Sequence, residues 1–205
     1  MIMSWRGVAV DEKYGTIAPM KGDIQRVLIP ENQIARRVAE LADQITADHT
    51  SPGMPDGAIT IVPIMTGAMI FCGDLIRRIP LFMKIGVVTV SSYPGPSVQS
   101  QGPAILGRQL GDLRGRNVLV VDDILDSGGT LRATVPLFHE HGAATVKTCV
   151  LLRKDRPAAR EMPVDYVGFD IPDEFVVGYG LDYNDYYRNL TDIVTLTPQA
   201  IRRHA

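Results

Sequence analysis

Apolar positions along this chain follow a pattern in which short strands alternate with helices. From Asn32, a plausible helix cap, the residues Ile34, Val38, Leu41 and Ile45 are spaced four, three and four apart, which predicts an amphipathic helix. Continuous runs of Val and Ile are typical of strands covered on both faces. The predicted strands are 58–64, 82–90, 118–121 and 145–152, and further predicted helices are 68–79 and 130–141. This alternation predicts an α/β fold with a parallel sheet.

Two regions depart from the alternation. After Pro157 the pattern changes to short aromatic strands at 166–169, 175–179 and 193–196, which predicts a smaller appended element. Between Ser92 and Asp112 no periodicity survives, and thirteen of the 21 residues are Gly, Pro, Ser or Gln. Structureless stretches of this length are usually lids or binding loops, or else disordered. We therefore expect a lid there, with a plain hairpin as the alternative.

Composition narrows the class of protein. A length of 205 residues with 45% apolar and 21% charged residues suits one globular domain. A net charge of −2 gives no basic excess for nucleic acid. Cys72 and Cys149 lie in apolar runs, which predicts buried thiols in a reducing compartment. The longest uncharged stretch is shorter than a membrane span, and no targeting segment is visible. We expect a soluble cytoplasmic protein that uses neither membrane nor nucleic acid.

The strongest chemical signal is the run from Val118 to Thr130, VLVVDDILDSGGT. A buried strand here delivers Asp122 and Asp123 at its carboxyl end, where open α/β sheets bind ligands. Backbone N–H groups of a glycine loop and the positive end of the following helix suit a phosphate. Carboxylates beside a phosphate call for a cation, and Mg²⁺ takes few carboxylates while keeping substrate oxygens and water. The run predicts a phosphate site with Mg²⁺ or sugar hydroxyls beside it.

This run resembles the phosphoribosyl-pyrophosphate motif of type I phosphoribosyltransferases. Leu151–Lys154, residues 167–184 and Arg188 resemble the purine-binding hood of the hypoxanthine-guanine (6-oxopurine) branch, and Ser92-Tyr93 matches its mobile lid. The resemblance covers about Val27 to Leu196. It implies a single phosphoribosyltransferase domain over 1–205, with a parallel sheet core flanked by helices, a lid over about 92–112 and a small C-terminal hood over about 155–192.

The resemblance implies an enzyme of purine salvage, a glycosyltransferase of the pentosyl type. It would move the phosphoribosyl group from phosphoribosyl pyrophosphate to hypoxanthine or guanine, and would need Mg²⁺. Asp122 and Asp123 would hold the ribose hydroxyls, directly or through metal and water. The residues implied for the 5′-phosphate are Ser127, Gly128, Gly129 and Thr130, and those for pyrophosphate are Thr66, Gly67 and Arg188. In this family the loop at Thr66 holds a non-proline cis peptide, and many relatives carry a lysine at that position.

For the base, the resemblance implies Asp126 as the general base facing purine N7 and Lys154 as the donor to O6. Phe175 would stack on the purine, Val176 would offer backbone hydrogen bonds, and Asp182 would bind a second Mg²⁺. Each has a plainer alternative. Lys154 could be a solvated charge, Phe175 part of the core, Asp182 a turn cap, and Arg188 a surface partner of Asp185.

Two other functions remain open at this point. One is a nucleotide-sensing, RNA-binding regulator of the same fold, against which the hood and the net charge of −2 argue. The other is a phosphoribosyltransferase for another base, which would lack the pairing of Lys154 with Phe175. The family also implies a homo-oligomer, a dimer or tetramer.

Overall fold

The computed structural model describes residues 18–50, 59–91 and 103–204. A 3₁₀ helix, Ala18–Asp23, precedes the first strand. The strands are β1 (Ile24–Ile29), β2 (Ile59–Met65), β3 (Met83–Ile85), β4 (Val87–Ser91), β5 (Ala104–Gln109), β6 (Asn117–Leu125), β7 (Thr145–Lys154), β8 (Tyr166–Ile171) and β9 (Ile193–Leu196). The helices are α1 (Glu31–Thr50), α2 (Met69–Ile76), α3 (Gly129–Glu140), α4 (Pro157–Arg160) and α5 (Pro198–Arg203). The chain divides into two units, Ala35–Glu174 and Met1–Ile34 with Phe175–Ala205.

The larger unit is built on a mostly parallel sheet in the order β5-β4-β2-β6-β7-β8, with β3 also paired to β2. Among the described strands of this sheet, only β5 runs antiparallel to its neighbour. The central strands carry continuous runs of Val, Ile and Leu because the sheet is covered on both faces. The α/β class and the parallel sheet are therefore confirmed.

Helix α1 confirms its predicted apolar stripe, since Ile34, Val38, Leu41 and Ile45 are all at most 1% exposed. The predicted strand over 82–90 is instead two strands, β3 and β4, which follow successive parts of β2. They meet at Gly86, whose N–H donates to the Ile61 carbonyl at 2.9 Å. The hood expectation was wrong for 166–169, because β8 pairs in parallel with β7 and extends the main sheet.

The expected loop over 92–112 is only partly described. Residues 104–109 form strand β5, with all six residues exposed, so the prediction of no regular structure was wrong there. Strand β5 pairs with β4 at the sheet edge, with Arg108 opposite Val88. Ser92 and Tyr93, the predicted lid residues, lie outside the described residues.

The smaller unit contains a two-stranded antiparallel sheet of β1 and β9. Its apolar cluster includes Val177, Leu190, Val194 and Leu196, all buried. The predicted strand over 175–179 was wrong: this segment forms only two isolated bridges, Val177 to Val194 and Gly178 to Leu181. The appended element expected after Pro157 is thus shorter than predicted, and it is completed by strand β1 from the beginning of the chain.

Cys72 and Cys149 are both buried free thiols, as predicted. No helix in the described parts of the chain is both long enough and apolar enough to cross a membrane.

Candidate active site

The segment Ser127–Thr130, which the sequence predicts as a phosphate site and which is called the phosphate loop below, lies at the junction of β6 and α3 in the larger unit. Gly128 has a φ of +78°, a left-handed conformation that glycine adopts without steric cost. Gly129 begins α3, a helix of twelve residues with no acidic side chain in its first turn. The loop residues therefore stand where backbone N–H groups and the positive helix end suit an anion. Arg132, which the sequence reasoning missed, donates from Nη1 to the Ser127 carbonyl at 2.7 Å.

A second loop meets the acidic end of β6. Strands β2 and β6 are parallel neighbours, so their carboxyl ends reach the same edge of the sheet. The peptide bond between Met65 and Thr66 at the end of β2 is cis, as the resemblance predicted. A Cβ on Gly67 would lie 1.8 Å from Oδ2 of Asp123. Only a glycine at position 67 therefore allows the Asp123 carboxylate to lie against this loop.

The two acidic residues of β6 have different environments. The strand was predicted to end at residue 121, but it continues through Leu125 and takes both aspartates into the sheet. Successive side chains of a strand point to opposite faces. Asp122 is only 5% exposed, whereas Asp123 is half-buried. Burial first, and then repulsion from Asp123, raises the pKa of Asp122 well above its usual range.

The raised pKa predicts that Asp122→Asn stabilises the protein at neutral pH. The amide keeps an oxygen to accept from the Asp123 N–H, which bonds Oδ1 of Asp122 at 3.1 Å, and it has no ionised form that burial would penalise. We expect a gain of about 1–2 kcal/mol, and so a rise in Tm of about 2–8 °C. Thermal unfolding of both proteins measures the difference.

The pH dependence gives the sign of that difference. An unfolded aspartate titrates near about pH 3.9, so below this pH both folded and unfolded forms are protonated and the variant has no advantage. As pH rises from there towards the raised folded pKa, the unfolded form loses its proton before the folded form does, so the wild type loses stability and the advantage grows until it levels off above the folded pKa. A wild type that equals or exceeds the variant in Tm at every pH would contradict the raised pKa of Asp122.

Four charged side chains meet beside the phosphate loop. Lys154 Nζ lies 3.4 Å from Oδ2 of Asp126 and 3.5 Å from Oδ1 of Asp173. Arg156 pairs with the same two carboxylates, through Nη1 to Oδ1 of Asp126 and through Nε to Oδ2 of Asp173 at 2.6 Å. Lys154 is 8% exposed, which excludes the alternative of a solvated charge at a strand end. The Arg156 guanidinium beside Asp173 holds the pKa of that carboxyl below its usual range.

The predicted base-binding residues of the smaller unit have mixed environments. Phe175 is 47% exposed and makes an edge contact with Tyr183, with ring centroids 5.5 Å apart, so it is not a plain core residue. Val176 is buried. Oδ1 of Asp182 lies 2.7 Å from Nη2 of Arg188, and its Oδ2 accepts from the Asp185 N–H at 2.9 Å.

Both plain alternatives for that pair are therefore realised. Asp182 does cap a turn, and Arg188 lies 3.1 Å from Asp185 as well as contacting Asp182. The two residues form one charged cluster with Asp185, and Arg188 also donates to the Gly180 carbonyl at 2.8 Å. In this cluster the Arg188 guanidinium is already paired with the carboxylates of Asp182 and Asp185.

The carboxylates of the candidate site suit a metal ion that arrives bound to a phosphorylated substrate. Within residues 18–50, 59–91 and 103–204 no cluster of three or more His, Cys, Asp or Glu could hold a metal ion. Mg²⁺ in phosphate-binding sites needs only one or two protein carboxylates, because phosphates and water supply the other ligands. Asp123, half-buried against Gly67, is a donor of that kind.

The structure shows an α/β protein with a glycine loop and an acidic strand end at the carboxyl edge of its sheet. The sequence profile of the phosphoribosyl transferase domain matches residues 29–184. Hypoxanthine-guanine phosphoribosyltransferase of Mycobacterium tuberculosis is 40% identical over 180 residues, 87% of this chain and 89% of that protein. The protein of the same name from Bacillus subtilis is 38% identical over 179 residues, 87% of this chain and 97% of that one.

Solved structures agree with this class. The crystal structure of a hypoxanthine-guanine phosphoribosyltransferase from Bacillus anthracis has a TM-score of 0.77 and 36% identity, and covers 85% of this chain and 100% of that one. The chain therefore belongs to the phosphoribosyl transferase family, in the branch of the hypoxanthine-guanine phosphoribosyltransferases. The predicted family and fold are confirmed.

Proposed function

We propose that this protein is an enzyme of purine salvage that transfers the 5-phosphoribosyl group from phosphoribosyl pyrophosphate to hypoxanthine or guanine. The products are IMP or GMP and pyrophosphate. The observation that carries the proposal is the carboxylate of Asp126, which stands at the start of a phosphate loop and beside a buried lysine, Lys154. The carboxyl ends of β6 and β7 thus offer an anion site and, next to it, a base and a hydrogen-bond donor for a 6-oxopurine.

The sugar end of the substrate is assigned to the sheet edge. Ser127–Thr130 hold the 5′-phosphate, through backbone N–H groups and two hydroxyls. Asp122 and Asp123 take the ribose hydroxyls, and we assign the direct contact to Asp123 because Asp122 is buried. Thr66 and Gly67 bind pyrophosphate. Thr66 is exposed and brings a hydroxyl where many relatives bring a charged lysine.

The roles at the purine end are taken residue by residue from the family resemblance. Asp126 takes the proton from purine N7 while a ring nitrogen bonds to the anomeric carbon and pyrophosphate leaves. Lys154 donates to O6, which favours 6-oxopurines over adenine. Phe175 stacks on the base, a role supported by its 47% exposure. Val176 offers backbone hydrogen bonds, and Asp182 and Arg188 serve a second Mg²⁺ and pyrophosphate.

Mg²⁺ would neutralise charge on the leaving pyrophosphate, and we propose Asp122 and Asp123 as the residues that would hold one ion and Asp182 as the residue that would hold a second. A net charge of −2 and three carboxylates at the site make unaided binding of a tetra-anionic substrate unfavourable. We further propose a single functional domain over 1–205, with a lid over about 92–112, that works in the cytoplasm as a homo-oligomer.

An RNA-binding regulator of the same fold is the second candidate. Binding of an RNA backbone calls for a basic surface, and the chain has 21 basic against 23 acidic residues. The exposed Phe175 and buried Lys154 are better suited to a single base than to a polyanion. The observations favour the enzyme.

Turnover tests the proposal directly. We expect the purified protein to form IMP from hypoxanthine or GMP from guanine with phosphoribosyl pyrophosphate and Mg²⁺, and to lose activity to background in excess chelator. Readdition of Mg²⁺ restores activity, which controls for damage by the chelator. Separate assays with hypoxanthine, guanine, xanthine, adenine and uracil identify the base. Absence of product with every 6-oxopurine, or full turnover in chelator, would refute the proposal.

A further inference from the structure

Arg156 connects the proposed general base to a second carboxylate across the larger unit. Its Nη1 donates to Oδ1 of Asp126, and its Nε donates to Oδ2 of Asp173 at 2.6 Å. Asp126 belongs to the loop after β6, whereas Asp173 follows β8. A planar guanidinium has donors in a fixed fork, so these two bonds together fix the direction from which Asp126 is held.

The two oxygens of Asp126 are held differently. Oδ1 accepts from Arg156, while the partner of Oδ2 among the described residues is Lys154 Nζ, at a longer 3.4 Å. Lys154 also has Asp173 as a partner at 3.5 Å. If Lys154 turns to a substrate oxygen, Asp126 therefore loses the partner of Oδ2 and keeps the partner of Oδ1.

The backbone around Arg156 prepares it for this position. Arg156 is the extended N-cap of α4, with Pro157 at the first helical position, and its N–H donates to the Lys154 carbonyl at 2.9 Å. Proline fixes its own φ and favours an extended residue before it. The local backbone therefore sets the direction in which the Arg156 side chain projects, only two residues after Lys154.

We propose that Arg156 is a positioning residue for the transfer reaction. It anchors Oδ1 of Asp126 so that Oδ2 faces the purine and accepts its proton. This inference rests on the proposed function. In the step, the purine N7–H bond breaks and its proton passes to Oδ2 of Asp126, while Oδ1 stays bonded to Arg156. Asp173 acts from the other side by holding Nε of Arg156 and so orienting the guanidinium.

Arg156→Gln tests the anchor. We expect kcat to fall about tenfold, because a base free to rotate is seldom aligned with its proton, while KM for phosphoribosyl pyrophosphate stays within about twofold. Arg156→Lys keeps a positive charge within reach of Oδ1 and should recover a large part of the loss.

Arg160→Gln is the matched control. Arg160 has the same 42% side-chain exposure and likewise bridges two carboxylates, Asp155 and Asp170, each at 3.2 Å, without contacting Asp126. We expect its kcat within about twofold of the wild type. Exposed ion pairs contribute little to stability, so both variants should keep a Tm close to that of the wild type.

A double variant separates positioning from general damage. In an Asp126→Asn background Arg156→Gln should cause no further loss, because the two residues act as one unit. The inference is wrong if Arg156→Gln matches Arg160→Gln in kcat, if its loss persists in the Asp126→Asn background, or if Arg156→Lys recovers nothing. A wild type without turnover would instead refute the proposed function, so the two failures are distinguishable.

Discussion

Asp126→Asn should lower kcat by about 10²–10⁴-fold, the usual effect of removing a general base. The amide has the size of the carboxylate and keeps one oxygen for Arg156, but it cannot take a proton from the purine. KM for phosphoribosyl pyrophosphate should change far less, because the phosphate is assigned to Ser127–Thr130. Steady-state kinetics with hypoxanthine and guanine separate the two constants.

Asp173→Asn is the matched control for that variant. Asp173 has 41% side-chain exposure against 44% for Asp126, and contacts the same Lys154 and Arg156. It stands outside the phosphate loop and is assigned no proton. We expect a loss of at most about tenfold, through Arg156. If Asp126→Asn keeps kcat within about threefold of the wild type at neutral pH, Asp126 is not the base.

Local sequence pattern predicted those elements whose stabilising contacts are local or regularly spaced. Helix α1 was predicted because its four apolar positions form one stripe, and strand β6 because its buried run precedes a glycine loop. The residue types of the local sequence alone predicted an anion site at Ser127–Thr130, because the loop geometry depends on glycine and the following helix. The family resemblance, and not the pattern, supplied Lys154 and Phe175.

Long-range pairing explains what the sequence did not reveal. Strand β1 pairs with β9 from the far end of the chain, and its register shifts after Ile24 and after Val27 break the period-two alternation. Strand β5 is exposed at all six positions and so has no apolar pattern to find. Its hydrogen bonds to β4 define it, and such bonds leave no signature in composition.

Within the site, the sequence could not separate residues that only packing distinguishes. Asp122 and Asp123 are adjacent and chemically identical, yet one is buried and the other faces Gly67. The contacts of Arg156 and Arg132 also depend on where other elements lie. A second cation two residues after Lys154 was a signal that could have drawn attention to Arg156.

Gly67→Ala should lower kcat/KM for phosphoribosyl pyrophosphate by about 10²-fold, since displacing a group by about 1 Å can cost this much. A methyl group there would stand 1.8 Å from Oδ2 of Asp123, so the carboxylate must move away from the position assigned to metal and ribose. Initial rates at varied substrate and Mg²⁺ measure the loss. Higher Mg²⁺ should not restore the wild-type rate, because the donor itself is misplaced.

The control is Gly73→Ala, in α2 of the same unit. A Cβ at Gly73 meets nothing within 4 Å, and alanine is the better helix former, so we expect wild-type activity and an equal or higher Tm. A cycle with Asp123→Ala identifies the target of the clash: if Gly67→Ala acts through the carboxylate, it adds nothing once that carboxylate is gone. Wild-type kcat/KM in Gly67→Ala would mean that the Asp123 carboxylate can leave Gly67 without cost, and would remove Asp123 from the proposed site.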